Sequence, residues 1–222
     1  MKGKLFLGGG GSSEQSAPLD KEFKKSMKGK TRVLLITLAR SNSEKTFKWF
    51  KKAYADYKFK DVVVFREGLD EKKILELDAV YIGGGNTYRL LNNLRKFKLI
   101  EVLKKFHEIG KPIYGGSAGA VIIGETIATA AHQDTNEEGL TNLSGLDIIK
   151  GFSIVCHYSE KEGEIVKKYA LNNKVLCIPE DAGIIIEDGS IRIVGSNCLC
   201  LVKGIEKQLK KGESYQLSTI TQ

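Results

Sequence analysis

Ser117 lies within Gly115-Gly116-Ser117-Ala118-Gly119, a glycine-x-serine-x-glycine pattern with an apolar stretch, Lys111-Pro112-Ile113-Tyr114, before it and a helix-forming stretch, 118–123, after it. A sharp strand-to-helix turn of this kind lifts a serine hydroxyl to the mouth of a sheet, and the new helix presents N–H groups to a developing oxyanion. An alcohol attacks a carbonyl at neutral pH only when a base takes its proton, and histidine is the usual base. The chain has three histidines. His107 reads as a helical residue and His132 as a solvated loop residue. His157 closes the apolar run Phe152-Ser153-Ile154-Val155-Cys156, and functional groups collect beyond the carboxyl ends of strands in open parallel sheets. His157 is therefore the expected base. The base needs a carboxylate or amide to fix its tautomer and stabilise its cation. Glu180 closes the next such run, Val175-Leu176-Cys177-Ile178-Pro179-Glu180, and is the expected partner, with Asp134 and Asp147 as rivals. The order serine, histidine, acid differs from the serine, acid, histidine order of α/β-hydrolases, but order along the chain does not limit geometry.

Two further glycine runs follow strands. Tyr81-Ile82-Gly83-Gly84-Gly85-Asn86-Thr87 joins a strand to a helix. Its backbone is expected to face the elbow, with the N–H of Gly84 or Gly85 as one oxyanion donor and that of Ala118 as the other. Asn86 of the same turn is expected to meet the substrate. The run lacks the spacing of a dinucleotide or P-loop fingerprint. Gly8-Gly9-Gly10-Gly11-Ser12-Ser13 reads as a permissive loop.

The elements that must position these groups alternate. Residues 4–7, 32–38, 62–65, 79–82 and 113–114 read as strands. Residues 42–57 (with Ser41 or Ser43 as N-cap), 71–77, 87–94 and 99–109 read as helices. This alternation predicts a parallel sheet with helices on both faces. Residues 184–187 and 190–194 around Asp188-Gly189 predict an antiparallel hairpin at one edge, and 197–202 a further strand. Residues 130–142 are polar and irregular, suited to a lid or a subunit contact.

Bulk properties narrow the function. The chain has 222 residues, 41% of them apolar and 28% charged, which suits one soluble domain spanning 1–222. The net charge of +8 is spread among interleaved acids and reads as a solvated surface rather than a nucleic-acid face; in 47–60 the aromatics recur at helical spacing and point to a core. No run approaches the ~20 apolar residues of a membrane span, and the N-terminus does not read as a secretory signal. Cys156, Cys177, Cys198 and Cys200 lie in apolar runs with no Cys-x-x-Cys spacing, as expected of reduced core thiols in a cytoplasmic protein. Cys198 and Cys200 should share one face of a strand. Three scattered histidines give no metal-ligand spacing, so neither metal nor organic cofactor is expected.

Ile82-Gly83-Gly84-Gly85-Asn86-Thr87, then Gly116-Ser117-Ala118-Gly119-Ala120, His157 and Ile178-Pro179-Glu180 together resemble the aspartyl dipeptidase (peptidase E) and cyanophycinase family of serine peptidases. The resemblance runs from about residue 30 to 205. It implies a flavodoxin-like α/β fold related to class I glutamine amidotransferases, and a triad that carries over to Ser117, His157 and Glu180. In that family basic or polar groups beyond the histidine help to grip the substrate. Here Tyr158-Ser159-Glu160-Lys161-Glu162-Gly163-Glu164 follows, with no arginine and with acids that would repel an aspartyl carboxylate; Lys161, Lys167 and Lys168 offset them only where helical register turns them inward. The expectation is a monomeric or homodimeric serine peptidase acting on small peptides, through an acyl-enzyme, with no nucleic-acid or membrane partner. The alternatives are an esterase or amidase for a non-peptide acyl compound, and a non-catalytic binding protein of the same fold.

Overall fold

The computed structural model describes residues 1–27 and 31–220. Five short strands make the centre: β1 (Leu5–Gly8), β2 (Arg32–Ile36), β3 (Asp61–Val64), β4 (Ala79–Ile82) and β5 (Ile113–Gly116). They run parallel in the order β3-β2-β4-β5-β1. Their near-continuous apolar sequences fit a sheet covered on both sides, and successive side chains divide between two cores. Phe6, Val33, Leu35, Tyr81 and Tyr114 face one core with α1 (Ser13–Ser26) and α2 (Ser43–Ala53). Leu5, Leu7, Leu34, Ile36, Val80 and Ile82 face the other, with α3 (Glu71–Leu75), α4 (Thr87–Lys96) and α5 (Leu99–Glu108).

The expected hairpin is present. β8 (Ala182–Glu187) pairs antiparallel with β1, β9 (Ser190–Gly195) with β8, and a short β12 (Ser214–Gln216) with β9. By occupying the free edge of β1, β8 ends the parallel run there. β6 (Phe152–Cys156) and β7 (Lys174–Ile178) therefore cannot extend that sheet, as the reading of His157 on an open parallel sheet supposed. They pair parallel with each other and continue antiparallel through β10 (Cys198–Val202) and β11 (Ile205–Leu209) as a second sheet of order β6-β7-β10-β11. Ile154, Cys156, Leu176, Ile178, Cys198 and Cys200 face the larger core of the first sheet. Val155, Val175, Cys177 and Leu201 pack under α7 (Gly163–Ala170) through Val166 and Ala170. Cys198 and Cys200 thus share a face, and all four thiols are buried and free.

α2 differs from expectation at both ends. Asn42 caps α2, its side chain accepting the N–H of Glu44 at 2.9 Å, and that helix ends at Ala53. α1 has no counterpart among the expected helices. It opens with a capping box in which the Ser12 hydroxyl accepts the Gln15 N–H and the Gln15 side chain accepts the Ser12 N–H.

Candidate active site

β5 lies between β4 and β1, so the three glycine-bearing turns leave the same end of the sheet side by side, with Ser117 in the middle. At Ser117 the chain turns with φ 52° and ψ −118°, a conformation that costs a non-glycine residue about 1–3 kcal/mol. Its backbone is held from both sides. The N–H donates to Gly8 O at 3.0 Å, and the carbonyl accepts the N–H groups of Ala120 (2.7 Å) and Val121 (3.0 Å). The Cys156 thiol donates to the same carbonyl at 3.5 Å. A Cβ at Gly119 would stand 2.2 Å from Ile82 O, so only glycine lets the elbow fold down against β4. The helix after it, α6 (Ala118–Val121), is one turn long and shorter than the expected 118–123.

The second sheet supplies the other two groups. β6 and β7 are in register with Cys156 opposite Ile178, so their carboxyl ends lie together, His157 one residue past one and Glu180 two residues past the other. The His157 N–H donates to Gly9 O at 3.0 Å. Ser117 Oγ lies 2.8 Å from His157 Nε2, and His157 Nδ1 lies 3.0 Å from Glu180 Oε1. Because an ionised carboxylate only accepts, the Glu180 contact places the imidazole proton on Nδ1 and leaves Nε2 free to accept from the serine hydroxyl. The rival acids are committed elsewhere. Asp134 accepts the N–H and hydroxyl of Thr87 at the start of α4, and Asp147 accepts the Gly151 N–H. His107 lies in α5 beside a different hollow, and His132 is not on the wall of the cleft around Ser117.

That cleft has a volume of about 760 Å³. Gly84 closes one side of Ser117; a Cβ there would stand 3.0 Å from Ser117 Cβ. Gly85, with φ 146°, lies against Ala39 and Arg40. Asn86 differs from its expected role. Its side-chain oxygen caps α4 by accepting the Arg89 N–H at 2.9 Å, and its amide donates to Thr135 O at 2.8 Å. It ties the irregular stretch 130–142 to α4, as do the Arg89–Glu137 and Asn92–Glu138 contacts. Charge is divided across the cleft. Arg40 and Lys45 line it on the β2 side and make no ion pair among the described residues; Glu162 and Glu180 line it on the His157 side. Hydrogen bonds from Ser159 hold the Glu162 carboxyl below the usual carboxylate range. Lys167 turns outward to Glu206 at 3.1 Å, so it does not offset these acids. Beneath the wall residues Ser16, Tyr81 and Tyr114, the buried Asp20 accepts the hydroxyls of Ser16 (2.7 Å) and Tyr54 (2.8 Å). Burial pushes the Asp20 carboxyl up against the pull of those donors.

Residues 5–194 match the model of peptidase family S51. The chain belongs to peptidase family S51. It is 31% identical over 148 residues to peptidase E of a Nostoc species, an alignment covering 61% of this chain and 60% of that protein. An uncharacterised peptidase of Listeria monocytogenes is 31% identical over 188 residues, covering 79% of this chain and 91% of the other. The crystal structure of a putative peptidase E from Listeria monocytogenes superposes with a TM-score of 0.71 at 24% identity, covering 88% of this chain and 99% of that one, and shares the fold. Family S51 membership places the chain among serine peptidases of the peptidase E type.

For this S51 chain the sequence reading missed three contributors to the cleft. The run Gly8–Gly11 lines it as closely as the elbow does. Its signal was position, directly past a parallel strand next to β5. Arg40 stands on the loop after β2, also a carboxyl-end loop, Lys45 lies in the first turn of α2, and Trp49 adds an apolar wall from the same helix. Loops at that end of a sheet line the cleft whether or not they carry glycine.

Proposed function

We propose that this S51 member hydrolyses short peptides with Ser117 as nucleophile, His157 as general base and Glu180 as the acid that orients it. The observation that carries the reading is the unbroken hydrogen-bond chain from Ser117 Oγ to His157 Nε2 (2.8 Å) and from His157 Nδ1 to Glu180 Oε1 (3.0 Å). Ser117 Oγ attacks the scissile carbonyl as His157 takes its proton. The imidazolium returns that proton to the leaving amine. Water, activated by the same imidazole, then releases the acid from the acyl-enzyme. The oxyanion donors are backbone N–H groups of the Gly84–Gly85 turn and of Ala118. One contact favours Gly85. Arg40 Nε donates to Gly84 O at 3.1 Å, and in a trans peptide the N–H points opposite to the carbonyl, so the Gly85 N–H points away from Arg40, which supports it as the donor. Short free peptides carry charge of both signs, and the cleft meets them with Arg40 and Lys45 at one side and Glu162 at the other.

We read residues 1–222 as one catalytic unit, because the larger core runs without a break through both sheets. Among the described residues no helix is long and apolar enough to cross a membrane. Four free thiols support a reducing compartment, and we place the protein in the cytoplasm.

The test is Ser117→Ala against a panel of dipeptides and β-linked peptides. Loss of kcat/KM by about 10⁴-fold or more, with folding unchanged, is expected for removal of an acting nucleophile. Unchanged turnover by the pure variant would remove Ser117 from the reaction.

A further inference from the structure

The triad is divided between two sheets. The nucleophile follows β5 of the first, while the base and the acid follow β6 and β7 of the second. The run Gly8–Gly11 bonds to both halves. Gly8 O accepts the Ser117 N–H at 3.0 Å, and Gly9 O accepts the His157 N–H at 3.0 Å. The Gly11 N–H donates to Glu180 O at 3.2 Å, and the Gly9 N–H to Ala182 O at 3.1 Å. One four-residue segment thus makes a main-chain hydrogen bond to each member of the triad. Gly10 makes none. It passes through the gap between the nucleophile and the base, with φ 101°. A Cβ there would stand 2.5 Å from His157 Cε1, 2.6 Å from His157 Nε2 and 2.7 Å from Ser117 Cβ.

We infer that Gly8–Gly11 is a positioning element that holds the two sheets in the register at which Ser117 and His157 meet, and that Gly10 must lack a side chain so the 2.8 Å contact can form. This inference rests on the triad proposed above. It is a claim about main chain. The loop's carbonyls and N–H groups set where each catalytic segment stops, and its missing side chains let the alcohol and the imidazole close over it. Displacing reacting groups by about 1 Å costs on the order of 100-fold in rate, and a methyl at Gly10 has no room without such a displacement.

The experiment compares Gly10→Ala with Gly68→Ala. Gly68 has a similar φ, 87°, but a Cβ there meets nothing within 4 Å, so it carries the backbone strain without the collision. Labelling by a serine-directed phosphonate is followed to completion, with kcat, KM and Tm measured in parallel. The expected result for Gly10→Ala is full final labelling reached about 100-fold more slowly, with kcat reduced similarly and KM nearly unchanged. Gly68→Ala is expected to label at the wild-type rate, with a fall in Tm from backbone strain alone. A merely structural role would leave fewer active molecules, each working at the wild-type rate. The inference is overturned if Gly10→Ala labels at the wild-type rate per active site, or if Gly68→Ala slows as much. If Gly10→Ala does not fold, Gly11→Ala replaces it: its Cβ would stand 2.6 Å from Glu180 O and leave Ser117 untouched, and a slowing of about 10-fold is expected, the wild-type rate again overturning the inference. Wild-type protein that resists the phosphonate, together with full turnover by Ser117→Ala, overturns the triad and this inference together. Normal wild-type labelling with no effect at Gly10 or Gly11 overturns this inference alone.

Discussion

The Glu180 side chain keeps 51% of its surface in solvent, whereas His157 keeps 34%. A carboxylate in that setting orients an imidazole but is screened by water, so it contributes less than a buried acid would. Glu180→Gln is therefore expected to lower kcat by about 10- to 100-fold, less than loss of a buried triad acid, with KM unchanged. Steady-state assays on the best dipeptide check this; a loss as deep as that of Ser117→Ala would show that the acid does more than orient. That the three groups would meet was legible from their places along the chain. Each lies one to three residues past an apolar run, and the chain places such residues at the open end of a sheet whichever sheet it is. Asn86 serves the fold with its side chain. An asparagine directly before a helix satisfies the first free N–H groups of that helix, and its side chain does that here. Arg40 and Lys45 left no mark because polar loops and exposed helix turns carry cations everywhere.

At the scale of elements, α1 is what the sequence hid. Pro18 lies inside it, where proline removes a hydrogen bond, and a glycine run precedes it. Its apolar stripe is narrow: Leu19, Phe23 and Met27, each four residues from the last and each buried. Phe23 lies in the aromatic cluster over the first sheet, with ring centroids 5.2 Å from Phe6, 5.2 Å from Tyr114 and 6.2 Å from Tyr54. Phe23→Ala should lower stability by about 3–5 kcal/mol, as other large-to-small changes at fully buried aromatic sites do. The fall in urea midpoint at constant slope measures it, and a loss under 1 kcal/mol would mean that α1 is not anchored there. The assignment of β6 and β7 was beyond reach for a different reason. A parallel pair of apolar strands has the same local pattern in either sheet, and only the later strand β8, by taking the edge of β1, decides between them. β11 was missed because four of its five residues are exposed and it shows little apolar pattern.

For the molecule as a whole, pH acts through a residue far from the chemistry. His107 is buried in α5, and burial, with a smaller push from Lys2, lowers its pKa from 6.5 to about 4. The unfolded chain takes up that proton near pH 6.5 while the folded chain resists it until about pH 4. Between those values the unfolded state binds more protons, so stability falls as pH falls. The stabilisation is fully present above the upper limit and lost progressively on the way down, about 3 kcal/mol in all. Urea midpoints at pH 7 and pH 4.5 should show the loss in the wild-type protein and a smaller loss in His107→Gln; equal losses would assign the acid limb to other groups. The division of the site between two sheets has a further effect. On the proposed reading, the alcohol leaves the ribosome 40 residues ahead of its imidazole. The imidazole leaves 23 residues ahead of its carboxylate. A part-made chain thus carries a serine with no base beside it, and newly synthesised polypeptides nearby meet an inert protein until its later strands have emerged.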